Sequence, residues 1–195
     1  MSGRQELKRT RTRMYFLQAA KDIIANEGVE NASIRKIADA AGYAYPTIYN
    51  YFKDLNELLW ETKRLMVLDL VEAMRPKVCP PLQSAEALKE AFRTYIRYYL
   101  ENPRIFRFFY LYTLQKPRGA QEDTPAEPDF GAMWNEAFKY FVTNGRLREE
   151  NIDAVARTLI YATHGMLMLS FSNNGDLSEE ANLYRDLDKI IDYLL

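Results

Sequence analysis

Three observations predict an all-α protein. Apolar residues recur three and four apart along nearly the whole chain, strand-like alternation is scarce, and Pro or Gly falls at the joints between periodic stretches. With 195 residues, 48% hydrophobic and 27% charged, the chain suits one large globular domain or two small ones.

The periodicity places a first helix over about Lys8–Asn26, with Leu17, Ala20, Ile23 and Ile24 inward and Gly28 as its stop. Ser33 is a good N-cap for a second helix through Ala40, which turns Ile34, Ile37 and Ala38 inward. Gly42 makes a turn, and a third short helix follows over Tyr45–Phe52. There Ile48 and Phe52 share one face at i, i+4, while Pro46, Thr47, Tyr49 and Asn50 point to solvent or a partner. Asp54 can cap a fourth helix to about Met74, closed by Arg75-Pro76 and Pro80-Pro81. Further helices are expected over Ser84–Asn102, Pro103–Gln115, Phe130–Thr143, Asn151–Ser172 and Ser178–Leu195. The stretch from Lys116-Pro117 through Pro128 reads as a disordered loop.

Charge is uneven. Residues 1–53 carry nine bases and five acids, a balance of +4, whereas the remainder stands at −5. A basic end on an acidic body points to a polyanion partner. Apolar runs are interrupted before about 20 residues, so no membrane span is expected, and no secretory signal is visible. Cys79 stands alone and His164 is the single histidine, so neither a disulfide framework nor a metal site is expected, and no cofactor motif is present. The cytoplasm is the expected compartment. An enzyme is disfavoured: there is no Gly-rich phosphate loop, no metal-ligand spacing, and no Ser or Cys nucleophile with a choice of histidines.

Helix, tight Gly turn, helix is the helix-turn-helix arrangement, in which the second helix enters the DNA major groove. Residues 17–59 carry Ala19-Ala20, Gly28, Ser33-Ile34-x-x-Ile37-Ala38, Ala41-Gly42, Thr47-Ile48-Tyr49-x-Tyr51-Phe52-Lys53 and Leu58-Leu59. With these elements the segment resembles the tetracycline-repressor (TetR) family of bacterial transcriptional regulators. The resemblance implies a DNA-binding domain over 1–53 and a ligand-binding and dimerisation domain over 54–195, with a connector helix at about 54–74. It implies that Arg35, Tyr45, Pro46 and Thr47 meet base edges, and that Ser33, Tyr49, Asn50, Tyr51 and Lys53 meet phosphates. Arg can grip guanine bidentately, and Pro46 or the Thr47 methyl can pack on thymine. Tyr43, in the turn, is expected to pack. Two positions depart from the family pattern: Ala44 offers no capping oxygen, and Leu55 stands where many relatives have Lys. If Tyr45 is the N-cap, Pro46 is the first helical residue. The arm Arg4–Arg13 is a further source of backbone affinity or a solvated tail.

The last two-thirds match no subfamily pattern. For dimerisation, Leu183, Leu187, Ile190, Ile191 and Leu194 form one stripe. Leu159 lies on another, with Ala162 and Gly165 permitting close approach. Both stripes suit a four-helix dimer interface or an inward face of one subunit, and periodicity does not choose. For sensing, Tyr95, Tyr99, Phe108, Phe109, Tyr112, Trp134, Phe138, His164 and Met168 would line a cavity for an apolar or aromatic ligand, or else fill a core. Arg107 could balance an anionic ligand or face solvent. The leading expectation is a homodimeric regulator of a palindromic operator, released by a small molecule. The alternative keeps the DNA-binding head and lets a protein partner control it.

Overall fold

The computed structural model describes residues 3–78, 82, 84–117, 130–172 and 175–195, with the backbone alone described at Val78, 130–136 and 175–176. Within these residues the protein is helical, and no strand is present among them. Two compact units divide the chain: 1–69 with 102–127, and 70–101 with 128–195.

In the first unit, α1 (Gly3–Glu27) starts five residues before the expected Lys8. Residues 4–9, Arg-Gln-Glu-Leu-Lys-Arg, are good helix formers and nothing among them stops the helix. Burial begins only at Thr12; Phe16, Ala20 and Ile24 then face the core, and the helix ends at Gly28, where φ is 93°. Ser33 caps α2 (Ile34–Ala40), its hydroxyl accepting from the Lys36 amide at 3.2 Å. Ile37 and Ala38 are buried as expected, while Ile34 is half-buried. At the far end the Tyr43 amide donates to the Ala38 carbonyl and the Gly42 amide to the Asp39 carbonyl, both at 3.0 Å. This paired closure needs a left-handed residue, and Gly42 supplies it with φ 77°.

The third helix, Tyr45–Asn50, is a 3-10 turn with Ala44, not Tyr45, as N-cap, and it ends before the expected Phe52. Pro46 supplies no amide hydrogen, and the helix is too short to settle into α geometry. Its footing is as expected: Ile48 and Phe52 are buried, and the Phe52 ring meets that of Phe16 edge to face with centroids 6.4 Å apart. Asp54 caps α3 (Leu55–Val78), its carboxylate accepting from the Glu57 amide at 2.8 Å. α3 passes through Pro76 rather than closing at Met74, because a proline near a helix end forfeits only one internal bond; Arg75 and Lys77 also favour that end of the helix dipole.

α5 (Pro103–Tyr110) also belongs to the first unit and stops short of the expected Gln115. The Asn56 side chain takes the place of helix bonds there: its amide donates to the Gln115 carbonyl at 2.6 Å and its oxygen accepts from the Gln115 amide at 3.0 Å. With both backbone groups of Gln115 satisfied by a side chain, that segment has no need of a further helical turn. Lys63 donates to the Phe109 carbonyl at 3.0 Å, and Arg107 pairs with Glu30 at 2.8 Å, which answers where its charge goes.

The second unit contains α4 (Ala85–Glu101), α6 (Phe130–Thr143), α7 (Ile152–Phe171) and α8 (Glu180–Leu194). α8 packs on α4 and α7 through Leu183, Leu187 and Ile191, none with measurable exposure. Ion pairs hold its register on α4, Arg93 to Asp188 at 2.5 Å and Lys89 to Asp192 at 2.7 Å, with Arg97 to Glu180 at 3.8 Å. The loop expected over 116–128 lies outside the described residues beyond Pro117, as do Cys79, Pro80 and Pro81.

Candidate functional site

The head presents one coherent outer surface. Tyr45, Pro46, Tyr49 and Asn50 are exposed on the short helix, and Thr47 is half-exposed. The rings of Tyr45 and Tyr49 meet edge to face with centroids 6.3 Å apart. Arg35 of α2 extends to the same surface, its guanidinium carbon 5.9 Å from the Tyr45 ring centre. Thus α2 supplies the cation and the following helix supplies the aromatic that steadies it.

The remaining residues flank that surface. Ser33 is exposed, with its oxygen already engaged as the cap of α2. Lys53 is exposed and its backbone amide donates to Glu57 at 2.6 Å. Tyr51 is half-buried, its ring 5.5 Å from Phe16. Tyr43 packs, as expected, on Phe16 at 5.2 Å and on Tyr15 at 6.5 Å, and its hydroxyl shares a 3.4 Å hydrogen bond with Thr12. The four tyrosines thus divide the work: Tyr43 and Tyr51 steady the head through Phe16, whereas Tyr45 and Tyr49 face outward. Sequence reasoning missed one contact, Arg9 Nη2 donating to the Asn50 carbonyl at 3.3 Å. The two residues lie 41 positions apart, and no local pattern links them.

The aromatic and histidine residues expected to sense a ligand fall into two groups. In the second unit, Tyr95 and Tyr99 are buried with ring centroids 5.0 Å apart, and Tyr95 bonds His164 at 2.7 Å. Burial pushes the His164 imidazole down to about 4, so it is neutral at pH 7. Phe138 is buried in the same unit, with Phe141 at 6.0 Å. Phe108, Phe109 and Tyr112 belong instead to the first unit, where Phe108 touches both of the others at about 6 Å. Trp134 lies on α6 with its side chain outside the described residues. Met168 requires correction: it is 45% exposed, because α7 turns Thr163, Met166 and Leu167 inward and position 168 away.

The dimer stripe also requires correction. Leu159, Leu183, Leu187 and Ile191 have no exposed surface within a single chain, so they offer nothing to a partner. Ala162, Ile190 and Leu194 stay half-exposed. The exposed apolar side chains of these helices are others: Tyr161, Met168, Leu169 and Phe171 on α7, and Tyr193 on α8.

Comparison with known proteins agrees with this architecture. Residues 16–62 match the family model of bacterial regulatory proteins of the tetR family. Residues 88–194, more than half of the chain, match the tetracyclin repressor-like C-terminal domain. A comparison with curated protein sequences found no match. Among solved structures, the chain is similar to the transcriptional regulator FadR from Bacillus subtilis in complex with stearoyl-CoA, at TM-score 0.67 and 18% identity, over 93% of this chain and 96% of that one. It is also similar to FadR from Thermus thermophilus, a transcriptional repressor in complex with lauroyl-CoA, at TM-score 0.60 and 18% identity, over 93% and 92%. A third likeness is to RolR in complex with resorcinol, at TM-score 0.65 and 20% identity, over 95% of each chain. No helix among the described residues is long and apolar enough to cross a membrane. The two family matches cover both the helix-turn-helix head and the helical body, and the chain belongs to the TetR family of DNA-binding transcriptional regulators.

Proposed function

We propose that the protein is a homodimeric repressor that binds a palindromic operator and is released by a small apolar or aromatic ligand. One observation carries the DNA side of this reading: Arg35, Tyr45, Pro46 and Thr47 lie together on a solvent-facing surface of the helix-turn-helix head, with the apolar footing of the short helix turned the other way. In the major groove, Arg35 takes guanine O6 and N7, and the Pro46 ring or Thr47 methyl packs on thymine methyls. Ser33, Tyr49, Asn50, Tyr51 and Lys53 take phosphates, which set register without reading sequence. The head over 1–53 is the reading domain, and 54–195, beginning with α3, is the dimerising and sensing one.

Dimerisation uses the exposed apolar side chains of α7 and α8, with half-exposed Ala162, Ile190 and Leu194 at the margins. Self-association gives two heads, and a two-fold dimer reads a palindrome with half-sites about 34–36 Å apart.

The ligand reading is supported by the Tyr95–Tyr99–His164 group, apolar rings carrying hydroxyl and imidazole handles. The similar structures bind stearoyl-CoA, lauroyl-CoA and resorcinol, which span the acyl and phenolic classes. A ligand that prefers the dimer state with ill-spaced heads lowers operator affinity by the ratio of its affinities for the two states.

The test is to enrich duplexes from a random pool with purified protein, then challenge the complex with resorcinol and with lauroyl-CoA. A two-fold symmetric consensus, and release by one of the compounds at constant salt, is the expected result. An asymmetric single half-site would remove the dimer–palindrome reading, and a complex indifferent to both compounds would remove these two ligand classes.

A further inference from the structure

We infer that the head carries a second DNA contact, a groove between the overhanging start of α1 and the end of the short helix that seats the sugar–phosphate backbone beside the half-site. The inference rests on the DNA reading above and adds to it a site outside the helix-turn-helix face.

Residues 3–11 are helical, yet every one of them is exposed, and the first buried residue is Thr12. About two and a half turns of helix therefore project beyond the packed head. They carry Arg4, Lys8, Arg9 and Arg11 against one acid, Glu6. Beneath the overhang lies a groove of about 780 Å³, walled by α1 on one side and by Asn50 and Tyr51 on the other.

Arg9 spans it, donating to the Asn50 carbonyl at 3.3 Å. A cation there is favoured by the carbonyl end of the short helix, and one bond leaves most of the guanidinium's five donors for another acceptor. Tyr51 is braced by its ring contact with Phe16 at 5.5 Å, so that wall is fixed by the head core. Arg13 also lines the groove, but its charge is offset by an ion pair with Glu61. Lys8 and Arg9 supply the groove's positive charge, opposed by Glu6.

Charge beyond the groove favours a strand over a single anion. Outside the groove's lining, Arg4 and Arg11 flank Lys8 at i−4 and i+3 on the same stripe of α1, extending its positive charge over about 10 Å at about 1.5 Å per residue. A strand, unlike a single anion, presents phosphates at a regular advance of about 3.4 Å along the duplex axis, so one seated at Lys8 and Arg9 brings its neighbours past the flanking arginines. The groove also opens beside Asn50, the last residue of the helix that faces the major groove in the reading above. A duplex engaged by that helix brings its own backbone to the groove. The contact is to phosphate, and it adds affinity without changing the sequence preferred.

The test uses the full-length protein and a duplex enriched from a random pool, with affinity measured against KCl concentration. Lys8→Gln and Arg9→Gln are each expected to make the slope of log K against log salt shallower by about 0.9, the value for one lost phosphate. Glu6→Lys should steepen it by a similar amount. Because Lys8→Gln and Glu6→Lys leave the Arg9–Asn50 bond intact, their effects do not depend on that bond's part in folding. Trimming base pairs outside the half-sites should weaken the wild type more than the Lys8/Arg9 double variant, and the enriched consensus should be the same for all. Unchanged slopes in Lys8→Gln and Glu6→Lys, alongside lost selectivity in Arg35→Ala, would overturn the groove and leave the head reading standing. A wild-type protein that enriches no duplex would overturn both.

Discussion

The guanidinium carbon of Arg35 lies 5.9 Å from the centre of the Tyr45 ring, joining the exposed side of α2 to the first residue of the short helix. A cation on an aromatic face at an exposed site gains about 0.5–1 kcal/mol. That is too little to matter for folding, but it narrows the directions in which Arg35 leaves α2. A side chain already aimed loses less entropy when it meets a base, so the pair preorganises the reading surface.

Arg35→Ala is therefore expected to cost about 1–3 kcal/mol of discrimination between the enriched duplex and a random one, with much less effect on the random duplex. Arg35→Lys should lose most of the same discrimination, since an ammonium cannot form the two-pronged contact. Tyr45→Phe keeps the ring and should hold selectivity better than Tyr45→Leu. Competition binding at fixed salt measures all four. Equal losses on both duplexes would make Arg35 a phosphate contact.

Asp54 and Glu57 form a reciprocal cap at the start of α3: the Glu57 amide donates to Asp54 at 2.8 Å, and the Lys53 amide donates to Glu57 at 2.6 Å. Asp54→Ala should destabilise the fold by about 1 kcal/mol, a typical loss for an N-cap. The double variant with Glu57→Ala should lose less than the two single losses added together, because each bond presumes the same helix start. Urea unfolding of the four proteins closes the cycle, and strict additivity would mean that the two bonds form independently.

The legible parts of the molecule were those set by short-range rules. Ser33, Gly28, Gly42 and Asp54 bound their helices in the expected places because capping and positive φ are decided within four residues. Ile48 and Phe52 were legible as the footing of the short helix for the same reason. The 3-10 geometry of that helix was not, nor the early start of α1, nor the passage of α3 through Pro76. At those points propensity leaves two states close in energy. Nor could the stripe at Leu183, Leu187 and Ile191 be assigned from periodicity, which says that one face is buried but not by what; packing on α4 and α7 uses it up within one chain. The Asn56–Gln115 pair, 59 residues apart, has no sequence signature, and it shortens α5 against expectation.

If the dimer forms through the side chains that remain outside, Leu169→Glu should shift the protein to monomer, since Leu169 is 46% exposed and a carboxylate there must be desolvated by a partner. Leu187→Ala should behave in the opposite way. It is fully buried within its own chain, so its loss is expected to cost about 2–5 kcal/mol of stability while the folded fraction keeps its mass. Sedimentation at several concentrations, with unfolding measured in parallel, separates the two effects. A dimer unaffected by Leu169→Glu would move the interface away from that face of α7.

His164 should leave a signature in the acid limb of stability. Its ring lies beside Tyr95, with centroids 5.9 Å apart and a 2.7 Å hydrogen bond between Tyr95 Oη and His164 Nε2. Burial lowers its folded pKa from 6.5 to about 4. Above about 6.5 the ring is neutral in both folded and unfolded chains, and its contribution is fully present. Between that value and about 4 the unfolded chain takes up a proton that the folded chain refuses, so stability falls as the pH drops. The slope cannot exceed about 1.4 kcal/mol per pH unit for one proton, and partial access of water to the ring keeps it below that limit. His164→Gln keeps an amide able to bond Tyr95 and removes the titration, so its loss of stability between pH 6.5 and 4.5 should be shallower than that of the wild type. Tyr95→Phe removes the hydroxyl but keeps the covering ring, and because burial causes the shift, the steep limb should persist in that variant. Urea unfolding at half-unit pH steps decides it: parallel curves for wild type and His164→Gln would mean that the imidazole is not held neutral by its surroundings.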